Sequence, residues 1–467
     1  MIDESPKKII EDLGDGLIMR SAVREDADAL AKFCAKVFMD EPLADSSGTG
    51  TEAYWIAKWI HDLLAKPHPT LNPDDIIIVE DVEQGRFAST TTYFSQSWTY
   101  DGVEIEIGQP EIVGTHPDYR NRGLVRKQFD VMHRWASERD HLVQVVLGIP
   151  SYYRQFGYEY ALPAEGGRYT PITSLPQWGD EKREFQLRDA TEDDVPFITE
   201  VLKDSTHRSM VSPVFRKDEV KYFTFDRTDR SAVCHKTAIL CKSEDEGLGE
   251  PIGVLMYAMV IEIDQGIILR MEMSESRYWR EALPSLLKEV RNLAKKAAEG
   301  NHDPEREIKS IRQDLQPDHP AYVFDDGALG HEPERQYGWY VRVPDIAAFL
   351  RKIAPALEAR IESSLHAGIT GDVEIRVDRD RIAISFEDGK ITGVEYQTAV
   401  HREKASDGWV ASARFPGQTF LPVLFGMRSV SETVSAHTDV NTGSKSSRHL
   451  IETLFPKSSS DLSLTLT

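Results

Sequence analysis

EIVGTHPDYRNRGLVRKQFDVMHRWA, residues 111–136, decides how the rest of the chain is read. Its first five residues form an apolar strand. Beyond Gly123, residues Val125, Phe129, Met132 and Ala136 recur at helical spacing, so the polar turn HPDYRNRG sits at a helix amino terminus. Unpaired backbone N–H groups there, reinforced by the helix dipole, attract an anion, and Gly123 lets that anion come close because it has no side chain. Arg120, Arg122, Arg126 and Lys127 add positive charge. A pyrophosphate suits such a turn. The magnesium-binding serine or threonine of a P-loop is missing, so phosphate chemistry is not implied. An exposed basic helix start with no ligand would look the same, and the turn alone leaves both readings open.

Downstream, the strand LVQVVLGIP (142–150) leads into SYYRQFGYEYA (151–161), which sets Tyr153 four residues before Gly157. Tyr153 is either a packed aromatic among Tyr152, Phe156 and Tyr158 or a functional phenol. Upstream, LIMRSAVREDADAL (17–30) aligns without gaps on FQLRDATEDDVPFI (185–198), matching Arg20 with Arg188, Ala22 with Ala190, Asp26 with Asp194 and Leu30 with Ile198. Each copy reads as a short strand, a polar helix start and an amphipathic helix. The opening stretch recurs too, since EIVGTHPDYRNRGLV (111–125) parallels ILRMEMSESRYWREAL (268–283). Where the first copy has Arg120-Asn121-Arg122-Gly123, the second has Arg277-Tyr278-Trp279-Arg280, and arginine in place of glycine would block backbone approach to a pyrophosphate. The second copy is therefore expected to be structural.

The pattern predicts three α/β (α+β) domains, at 1–172, 173–336 and 337–467. The proline- and charge-rich PITSLPQWGDEKRE (171–184) links the first two. From Tyr337 the chain reads as a strand, a helix, and then period-two segments at Val373, Ile375, Val377 and Ile382, Ile384, Phe386, which argue half-buried strands.

Composition narrows the function classes. The chain has 467 residues and a formal net charge of -22, which disfavours nucleic acid as a partner and favours a cationic substrate. Its apolar runs are far shorter than a bilayer span and its amino terminus lacks a signal core, so a cytoplasmic protein without membrane partners is expected. Cys34, Cys234 and Cys241 lack zinc-type spacing and read as inert thiols, and no metal site is expected.

Together, Arg120-Asn121-Arg122-Gly123-Leu124-Val125 and Tyr153-Arg154-Gln155-Phe156-Gly157-Tyr158 resemble the coenzyme A motifs of GNAT-type N-acetyltransferases. Val125 departs from the usual final glycine or alanine. Two tandem GNAT-like copies, the second degenerate, followed by a sterol-carrier-protein-like domain resemble the enhanced-intracellular-survival type of N-acetyltransferase. Arg122-Gly123-Leu124-Val125-Arg126 and the segment WYVRVPDI (339–346) are typical of that group.

The resemblance implies acetyl-coenzyme A as cosubstrate, a primary amine as acceptor (aminoglycoside, polyamine or lysine side chain), and a homo-oligomer such as a hexamer. It places the pantetheine and acetyl carbonyl on the backbone of Val113, Gly114 and Thr115, the pyrophosphate on residues Arg120 to Arg126, and the pantetheine arm against Gly148 and Ile149. It makes Tyr153 the general acid and the terminal carboxylate, here of Thr467, the general base. A polar tail with no catalytic part is the other reading of that terminus. A non-catalytic protein that senses coenzyme A or carries an apolar molecule is the other reading of the whole. The acceptor region, roughly 31 to 70, carries no matching motif.

Overall fold

The computed structural model describes residues 8–38, 52–164, 167–229, 231–245, 247–300, 306–325, 327–330, 337–397 and 409–463. In chain order the first strands are β1 (Ile9–Gly14), β2 (Leu17–Ser21), β3 (Ile76–Asp81), β4 (Arg86–Tyr100), β5 (Val103–Thr115), β6 (Val143–Val146) and β7 (Glu159–Pro163). The middle of the chain supplies β8 (Arg168–Pro171), β9 (Phe185–Asp189), β10 (Val211–Pro213), β11 (Lys236–Glu244), β12 (Gly247–Val260), β13 (Gln265–Met273) and β14 (Ser310–Gln313). The last strands are β15 (Gly338–Arg342), β16 (Gly371–Val377), β17 (Asp380–Glu387), β18 (Lys390–Tyr396) and β19 (Trp409–Phe415). The helices that matter below are α1 (Ala27–Phe38), α2 (Glu52–Ala65), α3 (Leu124–Glu138), α4 (Val195–Ser205), α5 (Lys217–Lys221) and α6 (Tyr278–Glu299).

The repeat read from the sequence is a repeat of structure. The first sheet runs β1-β2-β3-β4-β5-β6-β15-β7, with β10 added to β4, and the second runs β9-β11-β12-β13-β14-β8. Strand for strand, β2-β3-β4-β5-β6-β15 corresponds to β9-β11-β12-β13-β14-β8. The matched arginine and aspartate do the same work in both copies. Arg20 grips Asp26 through two bonds of 2.7 and 2.9 Å, and Asp26 accepts the Val23 amide at 2.9 Å. Arg188 grips Asp194 through bonds of 2.6 and 2.7 Å, and Asp194 accepts the Thr191 amide at 2.8 Å. Each pair ties a strand to the helix start that follows it, and the guanidinium pulls the Asp194 carboxyl down to about 2.

The β4–β5 hairpin turns on Asp101 and Gly102, both at positive φ, the backbone that a tight two-residue turn requires. It projects onto the third unit, the four-stranded sheet β18-β17-β16-β19 and its helices. There the Tyr100 hydroxyl donates to the Leu424 carbonyl at 2.6 Å and Arg360 pairs with Asp101 at 2.5 Å. One apolar core joins the two units, with Ile105, Val143 and Leu162 of the first sheet packed among Phe349, Leu350 and Val373.

The strand expected to open the last domain lies elsewhere. β15 is bonded antiparallel to β6 on one side and β7 on the other, inside the first sheet. Reciprocally, β8 sits within the boundary drawn for the first domain yet pairs with β14 in the second sheet. Each sheet thus takes the strand beside its parallel pair from across the domain boundary. Among the described residues, no helix is long and apolar enough to cross a membrane.

Candidate active site

β5 and β6 are parallel and pair only at Ile107 with Val143 and Gly108 with Gln144. Beyond Gly108 no ladder joins them, and a wedge opens between the two strands. β5 also carries a bulge. Thr90 faces Gly114 and Thr92 faces Glu111, so Ile112 and Val113 together oppose Thr91, and Ile112 adopts φ 53°. Such a bulge bends a strand and re-aims its side chains. The second copy bulges at Leu269, the residue aligned with Ile112.

At the end of β5, His116 accepts the Asp118 amide at 3.3 Å and caps the short turn Pro117–Tyr119. Asn121 and Gly123 then take left-handed backbone, φ 64° and 75°. α3 starts at Leu124 with Gly123 as its cap; no side chain bonds to its free amides and no acid lies in its first turn. Nothing stands within 4 Å of the place a Cβ on Gly123 would take. The open helix start is flanked by guanidiniums held on aromatic faces, Arg122 over Tyr119 at 4.9 Å and Arg126 over Phe156 at 5.0 Å. Arg126 also donates to Gln155 at 2.9 Å, and Arg120 to the Thr115 carbonyl at 3.4 Å. Donor amides, positive charge and empty space together suit a diphosphate. Leu124 is buried and Val125 packs against the same core, so these two offer only backbone.

Tyr153 stands in the turn Tyr152–Phe156 that follows β6. It is 4% exposed, with its ring against Phe129 (5.9 Å), Tyr152 (5.2 Å) and Tyr340 of β15 (5.7 Å). Gly148 lies directly beneath the ring, where an added Cβ would come within 2.6 Å of it, and the Gly148 carbonyl accepts the Tyr337 hydroxyl. Among the described residues the Tyr153 hydroxyl has no hydrogen-bond partner. Burial, followed by the charge of Glu111, raises its pKa well above that of a free phenol, so it keeps its proton.

Glu111 is the residue that the sequence reading missed. Its carboxylate accepts Gln109 Nε2 at 3.1 Å on one oxygen and the Ile112 amide at 3.2 Å on the other. Burial outweighs both donors and pushes it up to about 7. A carboxylate poised there can take or hold a proton at neutral pH, within electrostatic reach of a phenol that keeps its own. The strand's phase carried a signal: Ile105, Ile107, Gln109 and Glu111 share a face, whereas Glu104 and Glu106 are exposed on the other.

The structure therefore brings Val113, Gly114, Thr115, Gly148 and Tyr153 around one wedge, with residues 120–126 at its end. Ile149 is 66% exposed at the rim. The catalytic role read for Thr467 lies outside the described residues. As far as Ser463 the tail runs from the first sheet to the second: Ser460 bridges to Val211 of β10, and then Asp461 pairs with the buried Arg270 and Ser463 donates to the Leu269 carbonyl of β13 at 3.0 Å. Arg270 and Leu269 lie just past the last β13–β14 bond, where the second copy's own wedge would open, and the tail occupies that place. The second copy also lacks the anion turn. Between β13 and α6 the chain has only residues 274–277, against 116–123 in the first copy, and Arg280, aligned with Gly123, lies inside α6.

Residues 19–161 match the acetyltransferase (GNAT) domain family. No curated protein matches the chain. Solved structures similar to it over almost its whole length include a conserved protein of Enterococcus faecalis V583 described as a probable N-acyltransferase (14% identity, TM-score 0.63, 95% of this chain and 97% of that one). A GCN5-related N-acetyltransferase from Anabaena variabilis is similar at 12% identity and TM-score 0.62, over 95% and 99%. Eis1 from Mycobacterium abscessus is similar at 14% identity and TM-score 0.57, over 97% and 99%. At such identities the likeness is one of fold, and it spans both sheets of the tandem and the C-terminal α+β unit.

Proposed function

We propose, from the match of residues 19–161 to the acetyltransferase (GNAT) domain family, that the chain transfers an acetyl group from acetyl-coenzyme A directly to a primary amine of a cationic acceptor, such as an aminoglycoside, a polyamine or a lysine side chain. One observation carries the reading: a single wedge has an uncapped, arginine-flanked helix start at one end and, within it, the buried Tyr153 over the bare backbone of Gly148.

The donor brings the activated thioester. The α3 amides with Arg120, Arg122 and Arg126 would hold its pyrophosphate, and the backbone of Val113–Thr115 and Gly148 would line its arm. Glu111 takes the proton that the attacking amine must lose, and Tyr153 gives one to the departing sulfur. The terminal carboxylate of Thr467 stands as the other candidate for the base. One active site per chain follows, because the second copy lacks the turn and its wedge is taken by Asp461 and Ser463. The resemblance supports assembly as a homo-oligomer, and the net charge of -22 supports a cationic acceptor.

Thiol release from acetyl-coenzyme A, followed against polyamines, aminoglycosides, lysine peptides and neutral arylamines, tests the proposal. Cationic amines should turn over at least about tenfold faster than arylamines, with KM rising as salt screens the attraction. Binding of coenzyme A without thiol release for any amine would leave a sensor, and equal turnover of arylamines without a salt effect would remove the cationic acceptor. For the donor, Gly123→Val puts a branched side chain into the open space before α3 and forces a backbone it tolerates poorly, at about 1–2 kcal/mol. Coenzyme A affinity measured by calorimetry should fall about ten- to hundredfold. Unchanged affinity in the folded variant would place the pyrophosphate elsewhere.

A further inference from the structure

We infer that Trp98, Gln96 and Gln109 are positioning residues, a one-way relay of hydrogen bonds that fixes how the Glu111 carboxylate meets the acceptor amine. The inference rests on the reading of Glu111 as the base.

The relay lies on one face of the β4–β5 pair. Trp98 Nε1 donates to Gln96 Oε1 at 3.1 Å, Gln96 Nε2 to Gln109 Oε1 at 2.5 Å, and Gln109 Nε2 to Glu111 Oε1 at 3.1 Å. The three relay side chains are buried, with Gln109 at 0% exposed. A buried amide can turn its oxygen and nitrogen either way, so its orientation has to be imposed by its partners. Here both ends impose it. The indole N–H can only donate and an ionised carboxylate can only accept, so every contact is satisfied in one sense alone, with both amide N–H groups pointing toward Glu111. Turning either glutamine would set donor against donor or oxygen against oxygen without water to relieve it.

Burial penalises the Glu111 charge, and the relay opposes that penalty with a donor already aimed at Oε1. Its second donor, the Ile112 amide, comes from the bulge. Other charge near Glu111 is sparse. Tyr153 is within electrostatic reach of it, α1 packs on β5 but directs Lys36 at His116 (3.2 Å), the neighbouring strands present Thr92 and Phe94 on β4 and Val143 on β6, and among the described residues no ion pair reaches it. The relay is therefore the main lever by which the protein can set when Glu111 ionises. Its far end is held by packing, Trp98 meeting Trp339 of β15 edge-on at 6.0 Å.

The test is the pH profile of kcat/KM for one fixed amine, with a carbon-NMR titration of Glu111 in parallel. Gln109→Met keeps the side-chain volume and removes the donor. The inflection belonging to Glu111 should move up by about one to two pH units, since a hydrogen bond to a charge is lost. Trp98→Phe frees the relay to turn from its other end and should move the inflection in the same direction by less, which keeps the test available should Gln109→Met fail to fold. Donor affinity should stay unchanged in both. An inflection that stays in place, whether activity is intact or lowered equally at every pH, overturns the relay and leaves these side chains a packing role. Glu111→Gln separates the two ideas: if the inflection survives in that variant the base itself is misassigned, and if it vanishes there yet is unmoved in Gln109→Met only the relay fails.

Discussion

Tyr153→Phe should lower kcat by about 10²- to 10⁴-fold, the range that proton transfer by one positioned group supplies, while coenzyme A binds as before. The expectation follows from what the hydroxyl does not do. The ring is held by Phe129, Tyr152, Tyr340 and the bare backbone at Gly148, whereas among the described residues the oxygen bonds to nothing. Removing that oxygen leaves the packing and takes away only the proton that burial and Glu111 keep in place. The departing thiolate then has to wait for water, which the surrounding rings keep scarce. Calorimetry with coenzyme A, the melting temperature and single-turnover kinetics would separate the effects. A variant that melts and binds normally but turns over at full rate would strip Tyr153 of its role.

Glu111→Gln should cost a similar factor and change the pH dependence as well as the rate. In the native protein kcat/KM should rise through pH about 7 as Glu111 ionises, separately from the limb set by the acceptor's own amine. The glutamine variant keeps the amine limb and loses the other. Stability should respond in the opposite sense. Because the folded carboxyl titrates higher than the unfolded one, near 4.5, the native state binds the extra proton between those values, and the stability this group contributes is present below pH 4.5 and lost as pH rises through about 7. Glutamine carries no charge to bury, so the variant should melt no lower than the native protein at pH 8 and lose its advantage at pH 5. A rate loss with the inflection intact would return the base to the terminal carboxylate of Thr467.

Local pattern made most of this readable. The turn at 116–123 and the helix after it follow from glycine, charge and a 3.6-residue period, and the Arg20–Asp26 and Arg188–Asp194 pairs form because six-residue spacing sets a strand's last arginine against the acid of the next helix start. Strand pairing between distant segments was not readable. WYV at 339–341 is an apolar run that any half-covered sheet would accept, and nothing in it says that its partners are Val143–Val146 and Glu159–Pro163. Glu111 was hidden for a related reason. An acid in a strand reads as the exposed member of an alternation, whereas it continues the phase of Ile105 and Ile107, and its neighbours Gln96 and Trp98 come from another strand. The tail alternates Leu462, Leu464 and Leu466 as a strand would; up to Ser463 it runs from β10 of the first sheet to β13 of the second, and beyond that it lies outside the described residues.

A ribosome makes this protein in an order that its first sheet does not follow. When the segment holding Gly123, Glu111 and Tyr153 has emerged, the gap between β6 and β7 is still unfilled, because the strand that closes it, and the Tyr337 and Tyr340 that brace Gly148 and Tyr153, come only after the entire second sheet has been translated. The nascent first domain must wait with two open strand edges, and the middle domain serves as the spacer that returns the missing strand to it. Catalytic competence then arrives late in synthesis. A lesion that derails the middle domain would silence the wedge without altering any residue that lines it.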